Sequence, residues 1–292
     1  MLDISRRRLL AALALTPLMK MSPLQAALPD TQRILALEWL PTELLMALGV
    51  PPLGVADVYN YRVWVGEPPL PAGTIDLGLR TEPNLELMTQ LNPSLILHSN
   101  GYGPSAANLA RIAPTMGFDL NSGDGKPLST ARKSLHALGA RIGREAQAVQ
   151  HLEYVDGVLA AARERLKPWA GRPILLMSIL DSRHAITFGK GSLFLEVMDH
   201  LGLQSAWQGE TNFWGSAVIG IERLAAVGDV PVICFDHDNE LQMQEMMATA
   251  LWQALPFVRA GHFQRVPAVW YYGATYSALK FVRVLEHALE SH

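Results

Sequence analysis

Apolar and polar positions along this chain fall into two registers, short continuous apolar runs and longer stretches of helical period, and the two alternate. Residues 33–39 (RILALEW) form an apolar run of strand length. Pro41 then opens a helical pattern carried by Leu44, Leu45 and Leu48, which Gly49 stops. Proline early and glycine just past the end is the usual asymmetry of a helix. Asn84 is placed to cap a helix over 85–91 that Pro93 ends, and 94–98 (SLILH) reads as a buried strand. The second half repeats the grammar. Residues 173–180 (PILLMSIL) predict a strand, Ser192 opens a helix that Gly202 stops, 221–227 predict a short helix broken by Gly228, and 231–236 (PVICFD) a strand. Glu86 and Glu222 occupy matching places, each five residues before the end of its helix.

Between the halves, residues 144–166 are rich in Ala, Glu, Gln, Arg and Leu with apolar spacing near 3.6, interrupted only by Gly157. A helix of that length reaches roughly 35 Å. The pattern therefore predicts an α/β protein of two similar α/β lobes joined by one long backbone helix: an N-terminal lobe over 27–143, the helix over 144–167 and a C-terminal lobe over 168–292. The first 26 residues stand apart. Arg6, Arg7 and Arg8 precede a short apolar run, 9–15, and Ala26 and Ala27 offer small residues for cleavage, the plan of a signal peptide. Ser5-Arg6-Arg7-Arg8-Leu9-Leu10 resembles the twin-arginine export signal, with Leu9 where phenylalanine is commonest. The apolar run falls far short of the ~18–20 residues of a membrane span. No cysteine lies near the cut to carry a lipid anchor.

Composition narrows the functions. The 292 residues are 49% hydrophobic and 17% charged, which excludes disorder. A net charge of −3 without any block of like charges gives no basic face for nucleic acid. Cys234 is the single cysteine, which excludes an internal disulfide framework and cysteine-based zinc or iron–sulfur sites. No G-x-S-x-G elbow, P-loop, dinucleotide fingerprint or H-E-x-x-H pair occurs. Asp236-His237-Asp238 ends a strand, where such residues more often cap and turn than hold a metal. His98 ends another strand, as a wall residue or a ligand contact.

What stands out is aromatic residues at strand exits and in loops: Trp39 at the end of the first strand, Tyr59, Tyr61 and Trp64 in a proline-rich loop, Tyr102 in the turn Gly101-Tyr102-Gly103, Trp207, Phe213 and Trp214 in a second-half loop, and Trp270-Tyr271-Tyr272 closing a late strand. Trp169 and Trp252 read as core. Ligands of open α/β sheets bind beyond the carboxyl ends of strands, where these aromatics fall. Arg62 and Arg80 are sparse company, with Arg33, among the lysines and arginines of 32–110. Many aromatics with one or two arginines suit a bulky, nearly neutral ligand bearing a few polar oxygens and suit a trianionic chelate poorly.

The stretches ALEWLPTELLMALG, YRVWVGEPPLP, LGLRTEPNLELM, GYGPS, AWQGETNFWGS, CFDHDN and FVRAGHFQRVPAVWYYGAT make the chain resemble the periplasmic ferric-hydroxamate siderophore-binding proteins of ABC importers, the ferrichrome-binding type. The resemblance implies a shallow aromatic cleft between the lobes. It implies hydroxamate contacts from Arg80 and Tyr102 and pocket aromatics at Trp39, Trp64, Trp207, Trp214, Trp270, Tyr271 and Tyr272. His98 stands where the resemblance leads one to expect an aromatic. Glu86 and Glu222, one per lobe, match positions that meet an inner-membrane ABC permease. The expectation is a monomeric periplasmic carrier, not an enzyme, with neither cofactor nor metal of its own, since the siderophore holds the iron. A haem or corrinoid carrier on the same scaffold is the alternative. A siderophore esterase or reductase is a more distant one, because no nucleophile–histidine pair is recognisable.

Overall fold

The computed structural model describes residues 27–290, so the expected signal peptide lies outside the described residues. The N-terminal lobe is built on a five-stranded, wholly parallel sheet in the order β3-β2-β1-β4-β5, with β1 Ile34–Ala36, β2 Gly54–Val55, β3 Ile75–Asp76, β4 Leu95–Ser99 and β5 Thr115–Phe118. Parallel strands are covered on both faces, which is why β1 and β4 read as unbroken apolar runs. Leu35 and Ile96, directly paired in register, are both fully buried.

Two expectations near this sheet are corrected. The first strand ends at Ala36, and Trp39 opens the helix Trp39–Ala47 where the pattern suggested the end of a strand. The reason is Glu38, whose carboxylate accepts the Leu40 N–H at 2.8 Å and so caps a helix that opens at Trp39, ahead of Pro41. The aromatic segment expected as loop forms a helix, Val58–Trp64. Its β-branched and aromatic residues are weak helix formers, and burial of Val58, Tyr61 and Val65 outweighs that preference.

The C-terminal lobe carries a mixed sheet in the order β11-β10-β6-β7-β9, with β6 Pro173–Ile179, β7 His184–Phe188, β8 Gln204–Ser205 paired to the start of β6, β9 Ser216–Gly220, β10 Val232–Asp236 and β11 Phe263–Pro267. Strands β6, β10 and β11 are parallel, and β7 pairs antiparallel with both β6 and β9. The hairpin β6–β7 escaped the sequence pattern. It turns at Asp181, whose Oδ1 accepts the N–H groups of Arg183 and His184, both at 2.8 Å. The segment Ile221–Val227 is a 3-10 helix, and Trp270-Tyr271-Tyr272 lie beyond β11 in the loop before the final helix.

The long helix is present as Glu145–Arg165, with Ala148, Leu152, Val155, Leu159 and Ala162 forming its buried stripe. It packs among Pro127–Ile142, Leu193–Leu201, the C-terminal helix Thr275–Glu290 and Trp39–Ala47. One apolar cluster runs through this layer and takes in Leu44 and Leu135 from the first half with Val197 and Phe281 from the second. The lobes therefore meet through a close-packed helical seam. Among the described residues, no helix is long and apolar enough to cross a membrane.

Candidate functional site

Above that seam the two lobes line a cleft of about 390 Å³, the first from beyond the carboxyl ends of its strands and the second from the loops before β9 and after β11. The first lobe contributes Glu38, Leu40 and Arg80, the turn Ser99 to Tyr102 that follows β4, and Asp119 to Asn121 that follow β5. The second lobe contributes Phe213, Trp214, Trp270 and Tyr272. Arg80 rides on the turn after β3 that is pinched by the Gly78–Pro83 bridge. Its guanidinium carbon lies 3.6 Å from the centre of the Trp39 ring, and 5.4 and 5.5 Å from the Trp270 and Tyr102 rings. A cation over an aromatic face is held by the ring quadrupole. The backbone of Tyr102's turn comes equally close: a Cβ on Gly103, at φ +73°, would stand 2.7 Å from the Arg80 carbonyl oxygen.

The partner of Arg80 is a finding of the tertiary structure. Sequence proximity offers Glu82, yet Arg80 Nη1 donates to Glu38 Oε1 at 2.7 Å, and its Nε lies 3.7 Å from Asp57 Oδ2. The other oxygen of Glu38 is held by the Leu40 N–H at 2.8 Å and the Ser99 hydroxyl at 3.4 Å. The guanidinium is thus oriented by an ion pair and a ring before any ligand arrives, and its charge is balanced by that of Glu38. Tyr102 beside it is 43% exposed and Trp214 of the other lobe 50%, both open to an incoming molecule. The Tyr272 hydroxyl lies 3.4 Å from Ser216 Oγ, and burial raises its pKa, so it remains a protonated donor.

The structure brings Arg80, Tyr102, Trp214, Trp270 and Tyr272 together on the cleft wall and sets Trp39 beneath them as the platform of Arg80. Trp64 and Tyr271 form a layer under the cleft instead of lining it. Trp64 stacks on His237 at 4.2 Å and edges Trp270 at 5.9 Å, while Tyr271 tilts against Trp270 at 5.2 Å. Trp207 lies elsewhere. It packs in the second lobe's own core and borders an open hollow of about 660 Å³ on that lobe's flank, with Lys190, Asp199 and Glu210. The loop that follows β8 begins at this core and reaches the cleft only at Phe213 and Trp214, a division that loop composition does not encode. His98 is buried in β4 at 5% exposure, its ring filling the space beside Gly117, and it does not line the cleft.

Asp236, His237 and Asp238 diverge. Asp236 pairs with Arg265, His237 is stacked on Trp64, and Asp238 turns the chain at φ +62°. Among the described residues, no cluster of three histidine, cysteine or acidic side chains is arranged to hold a metal. Burial drives His237 down to about 4 and pushes the Cys234 thiol up to about 12. Sequence reasoning passed over Glu38, Ser99, Asn100, Asp119, Leu120 and Asn121. Only Glu38 left a signal, an acid inside an apolar run. Glu86 and Glu222 are both exposed, the first in a helix capped by Asn84, whose Oδ1 accepts the Leu87 N–H at 2.9 Å, the second in the 3-10 turn.

Comparison with known proteins gives this geometry its relatives. The chain is 57% identical, over 98% of its length and 97% of the other's, to the iron(3+)-hydroxamate-binding protein FhuD of Escherichia coli (strain K12). It is 31% identical to the achromobactin-binding periplasmic protein of Dickeya dadantii (strain 3937), over 68% of this chain and 65% of that one. Among solved structures, the Vibrio cholerae siderophore-binding protein FhuD bound to Fe3+–Desferal superposes with a TM-score of 0.82 at 28% identity, over 89% of this chain and 98% of that one. The periplasmic binding protein family model matches residues 34–269. With its two α/β lobes, helical seam and aromatic cleft, this chain belongs to the periplasmic binding protein family.

Proposed function

We propose that this protein binds iron(III)–hydroxamate siderophores in the periplasm and hands them to an inner-membrane ABC permease, without chemistry on the chelate. The observation that carries the reading is the cleft itself: an aromatic wall from both lobes around one arginine already paired with a carboxylate. Three monoanionic hydroxamates around a tricationic iron make a near-neutral core whose oxygens keep partial negative charge. Such a core needs a few directed donors and apolar contact, not a cluster of cations. Arg80 offers its remaining N–H groups in a fork, Tyr102 and Tyr272 offer hydroxyls, and the tryptophans hold the organic body. The relatives named for hydroxamate and siderophore binding support this assignment.

The rest of the life cycle follows from the same reading. The leader takes the chain across the inner membrane, by the twin-arginine route that Arg6 and Arg7 suggest, and is cut near Ala26. The mature protein acts as a monomer, with Glu86 and Glu222 presented to arginines of the permease. Replacing Arg6 and Arg7 together with lysine is expected to leave precursor in the cytoplasm, and unimpaired export of that variant points to the general secretory route.

Quenching-free gallium(III) trihydroxamates titrated against intrinsic tryptophan fluorescence test the ligand, alongside haem and cobalamin. Saturable binding of the hydroxamates, with mass spectrometry finding the chelate unchanged afterwards, is the expected result. Binding of haem or cobalamin without binding of any hydroxamate overturns it.

A further inference from the structure

Two buried carboxylates lie outside the cleft and touch nothing that a ligand reaches. Glu43 sits on Trp39–Ala47, the first helix of the N-terminal lobe, and is fully buried. It accepts the N–H groups of Ala274 at 3.0 Å and Ser277 at 2.9 Å and the Ser277 hydroxyl at 2.5 Å. These donors belong to the first turn of the C-terminal helix Thr275–Glu290, where a helix leaves its N–H groups without internal partners. Glu196 does the reverse. It sits on Leu193–Leu201 of the C-terminal lobe, 8% exposed, and accepts the N–H groups of Leu128 at 2.6 Å and Ser129 at 3.2 Å and the Ser129 hydroxyl at 2.5 Å. Those groups open Pro127–Ile142, the helix that follows the last strand of the N-terminal lobe.

Each lobe thus lends one glutamate to the helix that closes the other. Ordinary caps come from the residue that borders the helix, as Asn84, Ser105 and Ser192 do here. Lys126, at the mouth of Pro127–Ile142, supplies no such bond, and the cap arrives from 67 and 68 positions away. A side-chain carboxyl at the end of a helix, accepting from two N–H groups and a hydroxyl, is a directional joint that satisfies the helix's free donors.

The two joints stand directly behind the two cleft walls. The segment that runs into the Glu43 joint carries Trp270 and Tyr272, and the segment that runs into the Glu196 joint carries Asp119 and Asn121. Trp39, the platform of Arg80, opens the helix of Glu43. Gly273 leaves the space for the first joint, since a Cβ there would stand 2.3 Å from Glu43 Oε1 and 2.0 Å from Ser277 Oγ. A further interlobe bond, Asn121 Nδ2 to the Phe213 carbonyl at 3.3 Å, lies beside the second.

We infer that Glu43 and Glu196 are positioning residues, a crossed pair of interlobe latches that hold the two walls of the cleft at the separation and tilt the ligand requires. Neither touches the ligand, and only the affinity arm of the test rests on the proposed ligand. Nitroxide labels at Gln90→Cys and Ala225→Cys, one exposed site per lobe, report the interlobe distance by pulsed electron spin resonance. The isosteric substitutions Glu43→Gln and Glu196→Gln, singly and together, keep volume and one acceptor while turning the other acceptor oxygen into a donor. The ligand-free distance distribution is expected to broaden in each and most in the pair. Affinity for a gallium(III) trihydroxamate should fall roughly tenfold in the pair, within the usual range of coupling between sites, and saturating ligand should narrow the distribution again. Ser105→Ala, which removes the cap of a short helix that carries neither glutamate, serves as the comparison and should leave the distribution narrow. An unchanged distribution in the folded double variant overturns the inference, whatever the melting temperature does, and so does equal broadening in Ser105→Ala. Failure of the unsubstituted protein to bind the gallium complex counts against the proposed ligand and leaves the distance arm standing.

Discussion

Arg80 concentrates the chemistry of the cleft, and its setting makes the outcome of substitution specific. A hydrogen bond to a charged group is worth about 1.5–3 kcal/mol, so Arg80→Ala should lower affinity for a trihydroxamate by roughly one to two powers of ten. Arg80→Lys should recover only part, because an ammonium lacks the fork. The alanine variant also strands Glu38, a carboxylate 6% exposed, without its countercharge. Adding Glu38→Gln should restore the melting temperature while leaving affinity low, which separates binding from folding in one pair of measurements. Two other buried groups set opposite pH slopes. His237 is held down to about 4 chiefly by burial, with Lys280 adding to it and Asp236 opposing. Its unfolded value is about 6.5, so the stability it contributes is complete above 6.5 and is lost as pH falls through 4. Glu43 is pushed up to about 7 by burial, against its three hydrogen bonds. Its contribution is complete below an unfolded value of about 4.3 and is lost as pH rises through 7. Each is on the order of 3 kcal/mol. Chemical denaturation across pH 4 to 7 should therefore show stability rising with pH in Glu43→Gln and falling with pH in His237→Phe, and parallel curves in the two variants would refute the assignment.

At the scale of elements, local rules explain where segments begin and stop, and tertiary burial explains which unpromising segments form at all. Ser192 caps Leu193–Leu201 by accepting the Leu195 N–H at 3.1 Å, and Gly202 closes the helix in the left-handed conformation. Ser192→Ala should cost about 1 kcal/mol of unfolding free energy, read from the denaturation midpoint, and should leave ligand affinity unchanged. These caps and the apolar stripe of the connecting helix were legible in the sequence because each is set by residues within a turn of one another. The helix Val58–Trp64 and the hairpin β6–β7 were not. The first exists because Tyr61 is fully buried and donates its hydroxyl to the Pro68 carbonyl at 2.7 Å, and the second because β7 completes the sheet beside β9.

For the whole molecule the relation between lobes is what matters, since ligand and permease both meet surfaces that two lobes make together. Glu86 and Glu222 stand exposed, one on each lobe and both off the cleft wall. Reversing both charges to lysine should abolish uptake of the iron complex by cells while the purified protein binds it as before. Uptake that survives the double reversal, or binding lost with it, would remove these residues from docking.

The sequence by itself determined the class of the fold, the long connecting helix, the caps, and the aromatic and basic residue types of the cleft, because each rests on composition or on neighbours within a few positions. It placed Arg80, Tyr102, Trp214, Trp270 and Tyr272 in one candidate set, and they do share the cleft. It also put Trp207 and His98 in that set, and they lie in a core and in a strand. An aromatic in a polar loop reads the same whether its stretch of the loop turns into the core, as at Trp207, or out to the cleft, as at Trp214. Only the tertiary structure decided the pairing of Arg80 with Glu38 across 42 positions and the crossed joints of Glu43 and Glu196. A buried carboxylate takes whichever donors packing brings within about 3 Å, and which donors those are depends on how the two lobes come together.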